Sequence, residues 1–330
     1  MINESLKLNP NIFSDDVEKI AIRTGFGEGL VIAADQDEKV VGLCADLTDS
    51  TKMRLFADKY PKRFIQVGVA EQNMASVASG MAAMGMIPFM ASYAIFSPGR
   101  NWEQIRTTIC YNNVPVKIAG SHAGVSVGPD GGSHQALEDI ALTRVIPNMV
   151  VISPCDAIEA RKATIEAAKT PYPTYIRLAR NNTPIITTEG TPFEIGSAQI
   201  MYNEEGKSDV AIIATGPLVH NALFAAKKLE ERGVTAIVCN MATIKPLDTN
   251  AIDALVERAG AIVTVEEHQI AGGMGSAVAE YVSYTKPTPI EFVGVRDEFG
   301  QSGKPEELIN HYGMSVEDIV VAAEKLVGRK

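Results

Sequence analysis

The sequence predicts an α/β protein of two domains, each a mostly parallel sheet wrapped by helices, and three observations carry that prediction. Short apolar runs alternate with helical patterns, which is how buried parallel strands and their crossover helices read. A segment rich in proline and threonine, Arg180 to Gly196, interrupts the alternation, and the pattern then restarts. With 330 residues, 46% of them hydrophobic, the chain is long enough for two sizeable cores.

The strands are expected at VVGLCA (40–45), FIQV (64–67), IPFMAS (87–92), VPVKIAG (114–120), MVVIS (149–153) and TYIRLA (174–179). Asp156, with Glu159 three residues on, has the form of a helix N-cap and its capping-box partner ahead of AIEARKATIEAAK. After the interruption come DVAIIAT (209–215), the helix HNALFAAKKLEERG closed by Gly233, TAIVCN (235–240) and AIVTVE (261–266). A last helix behind Ser315 places Val316, Ile319, Val320 and Ala323 on one face. The expected division is an N-terminal extension (1–17), a first domain (18–182), a linker (183–196) and a second domain (197–330). Disorder is expected at most in the first fifteen or so residues, and no repeat of fixed period occurs.

A net charge of −10 argues against a general nucleic-acid or acidic-membrane binder, because a mostly negative surface gains nothing from counterion release. Small anionic substrates remain open to a local basic pocket. Cys44, Cys110, Cys155 and Cys239 lie far apart with no CxxC pair, so neither a zinc site nor a disulfide framework is indicated, and a reducing compartment fits. The polar N-terminus is unlike a signal peptide, and a cytoplasmic location is expected. The uncharged stretch from Gln72 to Gly99 is long enough to span a membrane, but Asn73, four serines, Gly80, Gly85 and Pro88 interrupt it. It reads instead as a buried helix followed by a buried strand.

Three pieces invite a chemical reading. IAGGMGSA (270–277) lacks GxGxxG spacing, and with no strand directly against it the expectation is a tight loop entering a helix. His268 beside it is then a loop or interface histidine. GPDGGSHQ (128–135) gathers Asp130 and His134 among glycines, with His122 just upstream in GSHAG. From the residues alone, an ordinary surface loop, a metal site and a catalytic or substrate-binding loop all stay open. Glu71, in GVAEQNM (68–74), opens the helix AEQNMASVASGMAAMGM, which is too apolar and too rich in small residues to face water on any side. A carboxylate buried at that terminus needs something to bind it.

GVAEQNM, SYAIF, GSHAGVSVGPDGGSHQ and IRLARNN, in that order, closely resemble the C-terminal two-thirds of the transketolase family of thiamine diphosphate enzymes. The resemblance covers most of residues 18–330 and implies a pyrimidine-binding domain followed by a transketolase C-terminal domain. The family's diphosphate-binding domain carries a GDG, which this sequence lacks, so the resemblance implies one half of a split, two-chain enzyme. Thiamine diphosphate is then the expected cofactor, and magnesium (or calcium or manganese) is expected on an N-terminal partner subunit. An α2β2 assembly with contact between the β chains is implied.

Carried over motif by motif, the resemblance implies that Glu71 hydrogen-bonds N1′ of the aminopyrimidine and so activates the thiazolium carbon. Phe96 stacks on the pyrimidine, Tyr93 packs nearby, and Asp46 lies close to the cofactor. His134 and Asp130 bind donor hydroxyls and assist proton transfer, while His122, Arg23, Ser50 and Arg180 grip a sugar phosphate. The implied activity moves a two-carbon ketol unit from a ketose phosphate to an aldose. Where the family has a further aromatic after the Phe96 position this sequence has SPGRNW, so the pocket is either built differently or completed by Trp102. The rival readings are the β subunit of a 2-oxo acid dehydrogenase E1 component, a 1-deoxyxylulose-5-phosphate synthase-like enzyme, and a scaffold that kept the fold without the chemistry.

Overall fold

The computed structural model describes residues 1–329. In the first domain the strands are β1 (Lys19–Ala21), β2 (Val40–Cys44), β3 (Phe64–Gln66), β4 (Ile87–Tyr93), β5 (Lys117–Ser121), β6 (Val150–Ile152), β7 (Thr174–Leu178) and β8 (Asn182–Pro184). The second domain contributes β9 (Gln199–Tyr202), β10 (Val210–Ala214), β11 (Ala236–Asn240), β12 (Thr243–Lys245), β13 (Ile262–Gln269) and β14 (Ile290–Val295). Between them lie α1 (Ile22–Gln36), α2 (Arg54–Lys59), α3 (Glu71–Ala83), a short α4 (Trp102–Gln104) widening into a π turn, α5 (Asp139–Arg144) and α6 (Ala157–Lys169). After the linker come α7 (Val219–Glu231), α8 (Thr249–Ala259), α9 (Met274–Thr285), α10 (Pro305–His311) and α11 (Val316–Val327).

The larger sheet runs β12-β6-β7-β5-β4-β2-β3, parallel except for β12, and the smaller runs β14-β13-β10-β11-β9, parallel except for β9. Every residue of β2, β5, β7, β10 and β11 is buried, as expected for strands covered on both faces. The antiparallel edge strand β12 belongs by sequence to the second domain yet pairs with β6 of the first (Thr243 opposite Ile152), so the two domains share a sheet. They also share a core, in which Val41, Leu43, Met90 and Ile118 pack with Ile213, Ile237 and Ile252.

Caps and stops match most expectations. Asp156 caps α6 by accepting from the Glu159 N–H, and Ser315 caps α11 with Asp318 reciprocating. Glu159 itself does not return to Asp156; its carboxylate accepts from the Cys155 N–H and from Asn240, where burial pushes its pKa up to about 7. Two expectations are corrected. Residues 1–17 are ordered against the second domain: Ile2 bridges Tyr202, Leu8 and Ile12 are buried, and Phe13 packs edge-on against Phe224. The expected linker, 183–196, is packed along much of its length: β8 pairs with β1, and Asp156 accepts from the Ile186 and Thr187 N–H groups. A strand does abut the glycine loop at 270–277, because β13 runs to Gln269 and the Glu266 carboxylate caps α9 through the N–H groups of Met274 and Gly275.

Helices α1 and α6 cross at contact distance because α1 presents glycines. A Cβ on Gly25 would lie 1.8 Å from the Ala157 carbonyl oxygen, and one on Gly29 2.6 Å from that of Arg161. Gly25→Ala is therefore expected to force the helices apart and lower unfolding free energy by ~1–3 kcal/mol, read as an earlier urea midpoint at an unchanged m value.

Candidate functional site

Apart from β12, the strands of the larger sheet point their carboxyl ends the same way, and β3 and β4 lie on opposite sides of β2, so the loops leaving them part at a topological switch point. Asp46 and Ser50 follow β2, Glu71 follows β3, Tyr93 ends β4, His122 follows β5 and Arg180 follows β7. Arg23 joins them from the first turn of α1. Sequence-distant polar groups thus meet along one edge.

Glu71 is the first residue of α3 and is 2% exposed. Its carboxylate accepts from Arg100 Nη1 at 2.9 Å, while its carbonyl accepts from Asn101 Nδ2 at 3.1 Å. The guanidinium carbon of Arg100 stands 4.7 Å from the Phe96 ring centroid. Trp102 is directed elsewhere: its indole N–H donates to the Leu142 carbonyl at 2.7 Å and its ring packs on the shared core. Helix α3 departs from expectation on one side. Gln72, Asn73, Ser76 and Gly80 are exposed, as are Val69 and Met84 at its ends, because α3 packs on its own sheet with one face only.

The aromatic candidates form one cluster. Tyr93 stacks on His122 with centroids 3.8 Å apart and lies nearly parallel to Phe96 at 6.1 Å. His134 meets Phe96 edge-on at 5.5 Å and Tyr93 at 6.1 Å. Each histidine pairs its Nδ1 with the preceding serine hydroxyl at 2.9 Å, His122 with Ser121 and His134 with Ser133. His122 holds φ 59, a left-handed conformation that costs a residue with a Cβ ~1–2 kcal/mol. Arg23 donates to the Ser50 and Arg180 carbonyls, and Arg180 to that of Val127. Burial, and then the charge of Arg180, lower the pKa of Arg23. Burial, then Arg23, Arg180 and His134, push His122 down to about 3, so near neutral pH it is an uncharged hydrogen-bonding ring. Asp46 and Asp130 are exposed; the Asp46 N–H donates to Gln66 Oε1, and no described contact joins either carboxylate to the rings.

Residues that sequence reasoning missed hold the loop 121–135 from the second domain. Glu267 on β13 accepts from the Ser126 N–H at 2.5 Å, and Gly124 (φ +89) makes room for its carboxylate, since a Cβ there would sit 2.3 Å from Oε1. Gln135 donates to the Gln301 carbonyl. Beneath, Arg177 pairs with Asp139 at 2.8 Å and donates to the Glu267 carbonyl, and His268, fully buried, accepts from the Ile140 N–H. The signal was present as two adjacent glutamates inside the apolar strand AIVTVEEHQ. A cavity of about 910 Å³ opens behind this loop, lined by Ser126, Asn181, Asn221 and Lys304, and contains none of the ring residues.

This geometry defines a class: a two-domain α/β protein that gathers a buried acid, stacked rings and two arginines at the strand ends of its larger sheet. The chain belongs to the transketolase family. Its residues 18–185 match the family described as "Transketolase, pyrimidine binding domain", and residues 198–319 match "Transketolase, C-terminal domain". It is 44% identical to the "Putative transketolase C-terminal section" of Methanocaldococcus jannaschii over 90% of this chain and 93% of that one. Identity is 38% to "6-deoxy-6-sulfo-D-fructose transketolase subunit SqwH" of Clostridium sp., over 96% of this chain and 98% of that one. The solved structure titled "Split gene transketolase, inactive beta4 tetramer" superposes with a TM-score of 0.87 at 44% identity, over 94% of this chain and 99% of that chain.

The depressed His122 pKa has a measurable consequence. Its folded value lies below the unfolded value of about 6.5, so the unfolded chain binds the extra proton and stability present above pH 6.5 is lost as pH falls toward 3. His122→Asn is expected to remove up to ~1.4 kcal/mol per pH unit of that loss between about pH 6 and pH 4. Urea unfolding of both proteins across that range checks it.

Proposed function

We propose that this chain is the pyrimidine-binding subunit of a thiamine diphosphate-dependent transketolase, and the observation that carries the reading is Glu71. A carboxylate 2% exposed at a helix terminus, bordered by an aromatic ring, fits an aminopyrimidine, which offers a ring nitrogen to an acid and a flat face to Phe96. When bound, thiamine diphosphate supplies an electron sink for the carbanion of a two-carbon ketol fragment. Glu71 holds the proton at the ring nitrogen, and Phe96 and Tyr93 supply the platform. Neutral His122 contributes a hydrogen bond without charge, while Arg23 and Arg180 face each other and gain from an anion placed between them. That pair favours a phosphorylated, or similarly anionic, sugar over a simple 2-oxo acid. His134 takes the proton-transfer role beside the rings; Asp130, exposed on the same loop, reaches the donor hydroxyls once a substrate is present. Asp46 and Ser50 line the cofactor and phosphate ends of the cleft, respectively.

The diphosphate and its metal are assigned to a separate N-terminal subunit. Two features support a partner: relatives named as a subunit, a C-terminal section and a split-gene protein, and the uncharged exposed face of α3 beside the site. We assign that pairing an α2β2 assembly with β–β contact. Four free, buried cysteines agree with a reducing, cytoplasmic setting. A relative named for a sulfonated fructose supports an anionic sugar as the kind of substrate proposed.

Glu71→Gln should reduce ketol transfer by the assembled enzyme ~10²–10⁴-fold while the chain still unfolds in one cooperative transition; near-normal turnover refutes the assignment. Arg180→Ala should raise KM ~10–100-fold for a phosphorylated sugar and little for its unphosphorylated analogue, since each charged hydrogen bond contributes ~1.5–3 kcal/mol. Equal effects on both substrates remove Arg180 from the phosphate site.

A further inference from the structure

We propose that Arg100 is the placeholder for the cofactor's aminopyrimidine: its guanidinium fills the slot between Glu71 and Phe96 in the unloaded chain and is exchanged for the ring on loading. Arg100 thereby sets how fast and how tightly the cofactor binds. This rests on the functional reading above and adds a residue to which neither the family motifs nor the sequence assigned a role.

The chemistry of the contacts matches on both sides. A guanidinium is planar, presents N–H donors to a carboxylate and stacks on aromatic faces. Arg100 does both at once, with Nη1 2.9 Å from Glu71 Oε2 and its guanidinium carbon 4.7 Å from the Phe96 centroid. Those are the two groups that an aminopyrimidine would engage, one by hydrogen bond and one by its face. The two therefore compete for one space.

The asymmetry of burial makes exchange feasible. The Glu71 side chain is 2% exposed and Arg100 is 49% exposed, so the acid cannot be left without a partner whereas the arginine can return to water at small cost. The backbone around Arg100 is already pinned. Its N–H donates to the Phe96 carbonyl, and the buried Asn101 side chain ties the next residue to the Glu71 carbonyl and the Ser97 hydroxyl. The turn before it is tight, since a Cβ on Gly99 would lie 2.0 Å from the Ile95 carbonyl oxygen. A side-chain rotation, with no loop movement, clears the slot.

Loading then replaces one partner of Glu71 by another, and removing the first raises the free energy of the unloaded state alone. In the enzyme assembled with its partner chain, thiamine diphosphate with magnesium should associate about tenfold faster with Arg100→Ala and bind about tenfold more tightly. Arg100→Lys, which keeps the charge but loses the stacking plane, should fall between. Stopped-flow fluorescence and calorimetry read both quantities, and Trp102, the one tryptophan of this chain, lies two residues from the exchange. Unchanged or weakened binding by Arg100→Ala overturns the proposal. In the free chain, a double-mutant cycle of Arg100→Ala and Glu71→Gln in urea tests the pair without any cofactor; shifts that do not add support it, and strictly additive shifts overturn it. No thiamine diphosphate binding by the wild-type assembly overturns the functional reading and the exchange with it, and a non-additive cycle beside that result locates the error in the cofactor rather than in the ion pair.

Discussion

A carboxylate removed from water must be compensated, and much of the cleft is arranged around that requirement at Glu71. The acid sits at the head of α3, where helix N–H groups already favour negative charge, and the loop after β4 returns over it. Asn101 ties that loop down, Phe96 shapes the space beside the acid, and the ring line through Tyr93 to His122 extends from Phe96 toward the two arginines. From a single buried charge, the stacked rings and then the two arginines follow in order along the strand ends.

Much of this was legible in the amino-acid order. The buried parallel strands appear as apolar runs because neither face needs a polar residue, so β2, β4, β5, β7, β10 and β11 lie within or almost within the runs read for them. The caps at Asp156 and Ser315 are local chemistry and were equally readable. What failed is what depends on distant partners. β1, β8 and β12 are three residues each, too short for a pattern, and exist because another segment lies alongside. The order of residues 1–17 rests on Leu8, Ile12 and Phe13 finding a surface built two hundred residues later.

The cleft divides the same way. Glu71, His122 and Arg180 each lie within five residues of a strand's carboxyl end, so once the strands are placed they are brought to the same end of the sheet. Arg100 lies in a loop whose path is set by hydrogen bonds to α3, and nothing local marks an exposed arginine as the partner of a buried acid. Glu267 was detectable in principle, as a charge in a strand buried on both faces, but its target, the Ser126 N–H, lies in another domain. Asp46 and Asp130 show the converse: their motifs are intact, yet in the chain by itself their carboxylates stand in solvent.

The strand β12 and the contacts of Glu267, Gln135 and Arg177 weld the two domains through a shared sheet and a buried polar seam. Cutting the polypeptide between them would strand charged groups in an apolar interior and release the histidine loop. The two halves of this polypeptide are therefore obliged to be inherited together.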